Sequence, residues 1–145
     1  MDDRASRMTK QVDSTKQPGI TINNILLSES IFKRLPQVPD KIDVHFSFSV
    51  NNNLYNEGKN LVTELSVELN TITDPVYGKF VFVGLFSVNG NENVPLEQFA
   101  ECNAPAYIVP YVREEIHSRS MKAGLPQIFL PPVNLHALVK EDSGK

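Results

Sequence analysis

The segment 42–50 constrains the fold more than any other. Ile42, Val44, Phe46, Phe48 and Val50 alternate with Asp43, His45, Ser47 and Ser49. A repeat of two puts successive side chains on opposite faces of an extended chain, so this is a strand with one apolar and one polar face. Three more segments read as its partners. Residues 20–32 start with Ile20 and Ile22 in one phase and continue with Ile25, Leu27, Glu29 and Ile31 in the other. A phase switch at Asn23-Asn24 is what a β-bulge leaves in a sequence. Residues 61–69 turn Leu61, Leu65, Val67 and Leu69 one way and Val62, Glu64, Ser66 and Glu68 the other. Residues 80–88 are apolar on both faces, with Phe80, Phe82, Phe86 and Val88 opposed to Val81, Val83 and Leu85. Such a strand is covered on both sides or meets a partner.

The connectors shape the topology. Residues 33–41 carry Pro36 and Pro39 and read as a crossover, too rich in proline for a central strand. The Asn-rich stretch 51–60 reads as a loop, and Asp74-Pro75 with Gly78 as a turn. Connections of this kind suit antiparallel hairpins rather than βαβ units. After Asn89-Gly90 the pattern becomes helical. Residues 95–101 suggest one short turn, and Asn103 is placed to cap a helix running to about Ala123, where Gly124 suits a left-handed stop. Pro110 falls early enough in that helix to be tolerated. Ile108, Val112, Ile116 and Ser120 form its i, i+4 stripe. The small Ser120 admits close approach by another helix, making these four the candidate oligomer-interface residues.

Residues 125–133 interleave Pro126, Pro131 and Pro132 with Leu125, Ile128, Phe129, Leu130 and Val133. Solvated loops are rarely so apolar, so this segment packs on something. Asn134 then caps a last short helix carrying Leu135, Leu138 and Val139. The expectation is an α+β chain: a four-stranded antiparallel sheet, one long helix and a short C-terminal helix. Residues 1–19 read as a flexible tail, 20–140 as a single domain and 141–145 as a polar tail.

Several function classes fall away. The net charge is −3 over 145 residues, with no long basic run, so no nucleic-acid footprint is present. Cys102 is the only cysteine, which excludes an internal disulfide, argues against cysteine-held zinc and suits a reducing, cytoplasmic setting. The polar first residues hold no signal-peptide core, and no apolar run approaches the ~20 residues of a membrane span. His45, His117 and His136 lie in three different elements without metal-ligand spacing. Glu114 and Glu115 are adjacent and splay apart on a helix. With no phosphate loop or nucleophile elbow, nothing points to an enzyme, a metal or a cofactor. What remains is apolar surface in excess of one small sheet's needs. It is either core plus a homo-oligomer interface, or it also includes a groove for extended apolar chains.

The residues leave both open; a family resemblance carried by residues 105–138 implies the second. Pro110-Tyr111 followed by Arg113-Glu114, Gly124 at the helix end, Pro126-Gln127, and Pro132-Val133-Asn134 together resemble the SecB protein-export chaperone family. Phe86-Ser87-Val88 and the order strand, Pro-bearing crossover, three strands and two helices are similar as well. The resemblance implies a homotetramer, built as a dimer of dimers, that binds unfolded precursor proteins without cofactor or catalysis and delivers them to SecA. It places Phe32, Leu35, Val38, Ile42, Val44, Phe46, Ile128, Phe129, Leu130, Leu135 and Leu138 in client grooves. It makes Asp43, Glu64 and Glu68, on the outer sheet face, candidates to meet SecA. The crossover lacks the family's tryptophan, the chain ends soon after Val139, and the outer face is only modestly acidic. Those departures leave open a SecB-like chaperone dedicated to one client, such as the antitoxin of a toxin–antitoxin pair.

Overall fold

The structure, a computed structural model, describes residues 16–17, 19–71, 75–89 and 95–132. Its strands are β1 (Lys16–Gln17), β2 (Ile20–Arg34), β3 (Val44–Tyr55), β4 (Asn60–Thr71) and β5 (Val76–Val88). Two helices follow, α1 (Leu96–Cys102) and α2 (Ala104–Lys122). The sheet is antiparallel in the order β1-β2-β5-β4-β3: four long strands, with two-residue β1 added at one edge. Hairpins join β3 to β4 and β4 to β5, whereas residues 35–43 carry the chain from β2 at one side to β3 at the far edge.

Alternation is kept where the sheet is covered. Leu61, Leu65, Val67 and Leu69 on β4 are all 0% exposed, and they face α2 together with Phe80, Phe82 and Phe86 of β5. Onto this surface α2 sets Ile108, Val112, Ile116 and Ser120, each also 0% exposed. A second cluster at the other end gathers Ile20, Leu61, Phe86, Leu96, Phe99 and Ala104, with the Phe86 and Phe99 rings edge-to-face at 5.1 Å. Edge-to-face packing suits the ring quadrupoles. Central β5 is apolar on both faces, as its sequence predicts, and Val81 on the face away from α2 is itself buried.

Four local expectations are corrected. Strand β3 does not stop at Val50; it runs on through the asparagines to Tyr55. The turn is confined to 56–59, where Asn56, Glu57 and Gly58 all have positive φ. Asn52 is no loop residue, because its side chain accepts a 2.7 Å bond from the buried Thr63 hydroxyl. Gly78 is also no turn residue. It lies within β5 opposite Leu69 and Phe32, and a Cβ there would come within 2.9 Å of the Phe80 ring. The switch at Asn23-Asn24 is a register shift, as expected, but a second follows between Leu27 and Glu29. That shift returns Ser30 and Phe32 to the helix face and sends Glu29 and Ile31 to the outer one. Last, Asn103 makes no side-chain cap, and α2 opens instead on Ala104-Pro105.

The end of α2 matches its sequence. Gly124 takes φ 69°, its N–H donates to the Met121 carbonyl, and the Leu125 N–H donates to that of Ser120. This Schellman arrangement satisfies two of the helix's last carbonyls. A polar network also ties α2 to β2. The Ser30 hydroxyl donates to Glu115 at 2.6 Å, and Arg119 reaches Glu115 at 3.2 Å and the Ser30 carbonyl at 3.2 Å.

Candidate functional site

The edge position of β3 gives the helix-covered face an open margin. Helix α2 lies over β4 and β5, so the inward row of β3 is less fully roofed. Val44, Phe46, Phe48 and Val50 are each half-buried, with the Phe46 and Phe48 rings stacked at 6.4 Å. Ile42, just ahead of the strand, continues the row. The crossover adds Val38, also half-buried, and from the end of β2 the ring of Phe32 sits 6.5 Å from that of Phe80. All of these pack on the main core cluster, as does Leu125 beyond α2. Leu35, 52% exposed, overlooks a cleft of ≈ 600 Å³ that Phe32, Pro75 and Tyr77 also line.

The segment after α2 splits by alternation. Ile128 and Leu130 point into the core and are 6% and 5% exposed, whereas Phe129 between them is 70% exposed. The structure therefore brings Phe32, Val38, Ile42, Val44 and Phe46 together with Ile128 and Leu130 around one apolar cluster, and leaves Leu35 and Phe129 outermost. Ile128 and Leu130, expected as groove walls, instead anchor the segment that carries Phe129. Leu135 and Leu138 lie outside the described residues.

The stripe expected at an oligomer interface is placed otherwise. Ile108, Val112, Ile116 and Ser120 are consumed by the chain's own sheet, so another subunit would have to meet α2 on its other side. On the flank of α2 beside β2, Tyr111 is half exposed and, with Leu27, Phe82, Pro110, Glu114 and Glu115, lines a cleft of ≈ 620 Å³. The sequence marks Tyr111 only within Pro110-Tyr111 and gives no role to Leu27, whose exposure follows from its place on β2, beside rather than beneath α2.

Asp43, Glu64 and Glu68 do fall on the outer side of the sheet. Glu64 is exposed there, and Asp43 lies 3.8 Å from His45. Glu68, however, stands opposite Lys79 in the register, and Lys79 pairs with Glu29 at 3.4 Å. The face is thus modestly acidic, with Lys79 set among its carboxylates. Among the described residues, the Cys102 and His117 pair is not brought together. Cys102 precedes α2 and His117 lies near its far end, which at 1.5 Å per residue puts their backbones about 20 Å apart. The Nδ1 atom of His117 is engaged with the Gln127 amide at 2.7 Å. Among the described residues no three His, Cys, Asp or Glu side chains converge as a metal site, and no helix is long and apolar enough to cross a membrane.

Comparison with known proteins agrees with this architecture. The family described as preprotein translocase subunit SecB matches residues 18–144. The protein-export protein SecB of Hahella chejuensis is 29% identical over 143 residues, covering 92% of this chain and 89% of that one. The SecB of Actinobacillus succinogenes is 27% identical over 139 residues, covering 89% and 83%. Among solved structures, the Mycobacterium tuberculosis SecB-like chaperone Rv1957, in complex with a ChAD peptide from the HigA1 antitoxin, superposes with a TM-score of 0.67. It is 20% identical, and the match covers 80% of this chain and 92% of that one, a likeness of fold.

Proposed function

The chain belongs to the SecB family, and from that premise we propose that it is a non-catalytic, ATP-independent chaperone that holds unfolded precursor proteins in the cytoplasm for delivery to SecA. The observation that carries the reading is the margin of β3. A row of half-buried apolar side chains continues the core outward, and the crossover and the segment after α2, which pack on the same core, leave Leu35 and Phe129 exposed. A folded client presents little to such a surface, but an unfolded one presents extended apolar segments. Each Å² of apolar area removed from water is worth ~25 cal/mol before association costs, so one site grips weakly. In a homotetramer, several sites engaging one long chain multiply the affinity without new contacts. Selectivity is then kinetic, since a fast-folding protein buries its segments before capture.

The test is the refolding rate of a slow-folding client, together with the assembly's mass with and without that client. Saturating wild-type chain is expected to retard refolding and to form a tetramer–client complex, and Phe46→Asp or Phe129→Asp is expected to abolish the retardation. Unchanged refolding kinetics at saturation would defeat the proposal.

A second reading, a chaperone dedicated to one antitoxin-like client, draws on two observations. The SecB-like structural neighbour was solved with an antitoxin peptide. The outer face here carries Lys79 among its carboxylates, which weakens the electrostatic case for SecA at that surface. A single co-purifying partner, with no retardation of unrelated clients, would favour this reading over general export.

A further inference from the structure

The crossover is held by few ties. The Leu35 N–H donates to the Pro75 carbonyl at 2.8 Å and pins its start. From 36 to 43, among the described residues, no main-chain to main-chain hydrogen bond joins it to the rest of the chain. Its inward contacts are those of Val38 and Ile42 with the core. Between it and the end of α2 lies a cleft of ≈ 350 Å³, with Val38, Pro39 and Asp40 on one side and Gly124 and Leu125 on the other.

One side chain spans that gap. Arg34, the last residue of β2, donates from Nε to the Leu35 carbonyl at 2.9 Å and from Nη2 to the Pro36 carbonyl at 2.9 Å. From Nη1 it donates to the Ala123 carbonyl at 2.6 Å. The first two acceptors open the crossover and the third caps α2. Ala123 is not one of the carbonyls that the Schellman bonds satisfy, and it sits where the helix dipole is negative. A planar guanidinium with five fixed donors can serve three diverging carbonyls, whereas an ammonium is a point charge on a flexible stem.

We propose that Arg34 is a positioning residue, a clamp that holds the crossover against the C-terminal end of α2 and so sets the spacing between the Leu35–Val38 wall and the Leu125–Phe129 wall. Its consequence for binding rests on the chaperone reading. Without the clamp, the strap from 36 to 43 keeps its two apolar contacts but loses its register to the helix. The client site then has to be ordered at the moment of binding, which lowers affinity.

The experiment compares wild type, Arg34→Ala and Arg34→Lys. Tryptic cleavage after Lys41, resolved by mass, reports strap mobility, and retention of a reduced and alkylated unfolded protein reports binding. Arg34→Ala is expected to speed cleavage at Lys41 about tenfold and to weaken retention several-fold, with an unchanged near-UV spectrum because Arg34 is exposed. Arg34→Lys is expected to resemble Arg34→Ala. Unchanged cleavage at Lys41 in Arg34→Ala, or full rescue by Arg34→Lys, would overturn the clamp. If wild type itself fails to retain the unfolded protein, the chaperone reading falls, and cleavage at Lys41 still decides whether Arg34 restrains the strap.

Discussion

Ile128 and Phe129 are chain neighbours with opposite surroundings, and their alanine variants separate folding from grip. Ile128 is 6% exposed within the main cluster. Truncating it removes buried methylenes and leaves a cavity, a loss of about 2–5 kcal/mol. With a urea dependence of ~2 kcal/mol per M, the midpoint falls by about 1–2.5 M at fixed chain concentration. Phe129 is 70% exposed, so Phe129→Ala is expected to move stability by no more than about 0.5 kcal/mol. Burying a phenylalanine completely is worth ~1.5–3 kcal/mol; the exposed share of Phe129 therefore offers about 1–2 kcal/mol to a client, or ~5–30-fold in affinity per site. Urea titration and binding of a fluorescent unfolded client, run on the same two variants, give the assay. The reasoning fails if Phe129→Ala destabilises as much as Ile128→Ala, or if it binds the client as tightly as wild type.

Other variants probe the frame. Gly78→Ala is expected to cost about 1–3 kcal/mol in thermal or urea unfolding, because its Cβ would meet Phe80 at 2.9 Å and Leu69 at 3.0 Å within a packed sheet. Arg119→Met removes the donors to Glu115 and to the Ser30 hydroxyl and carbonyl. Since Arg119 is 36% exposed, a loss of only about 1 kcal/mol is expected, and it shrinks in high salt if the ion pair contributes. Val112→Asp, which puts a charge into a 0% exposed site on α2, is expected to unfold the chain rather than merely dissociate an assembly, as circular dichroism would show.

How much of this was legible beforehand depended on what each residue touches. The alternation at 42–50 and 61–69 was readable because those strands are buried on one face, and period two then appears directly in the sequence. The asparagines at 51–53 hid the outer part of β3, since their propensity argues for a loop while their pairing with 62–64 of β4 argues for a strand. Tertiary pairing won. Gly78 was misplaced for a related reason: a glycine that makes room for a ring two residues away looks like a turn to any local rule. The second bulge of β2 left no clear mark, because Ser28, Glu29 and Ser30 suit either face. For the site, the apolar character of 125–133 and of the β3 row was plain, but which of Ile128, Phe129 and Leu130 faces outward is a matter of packing. The stripe on α2 shows the same limit. Ile108, Val112, Ile116 and Ser120 announce an apolar face, and nothing in their spacing says whether a sheet or another helix covers it.

The contact of Phe32 with Phe80 couples two properties of the chain. Phe80 is fully buried, and its ring neighbour Phe32 is one of the half-buried side chains at the candidate site. The side chains offered to a client are thus the outer layer of the same cluster that keeps the sheet and α2 together. A substitution that deepens the site also removes support from the core, and one that tightens the core makes the site shallower. Grip and thermal endurance are in tension here, and the range of clients is limited by how much apolar packing the fold can leave incomplete.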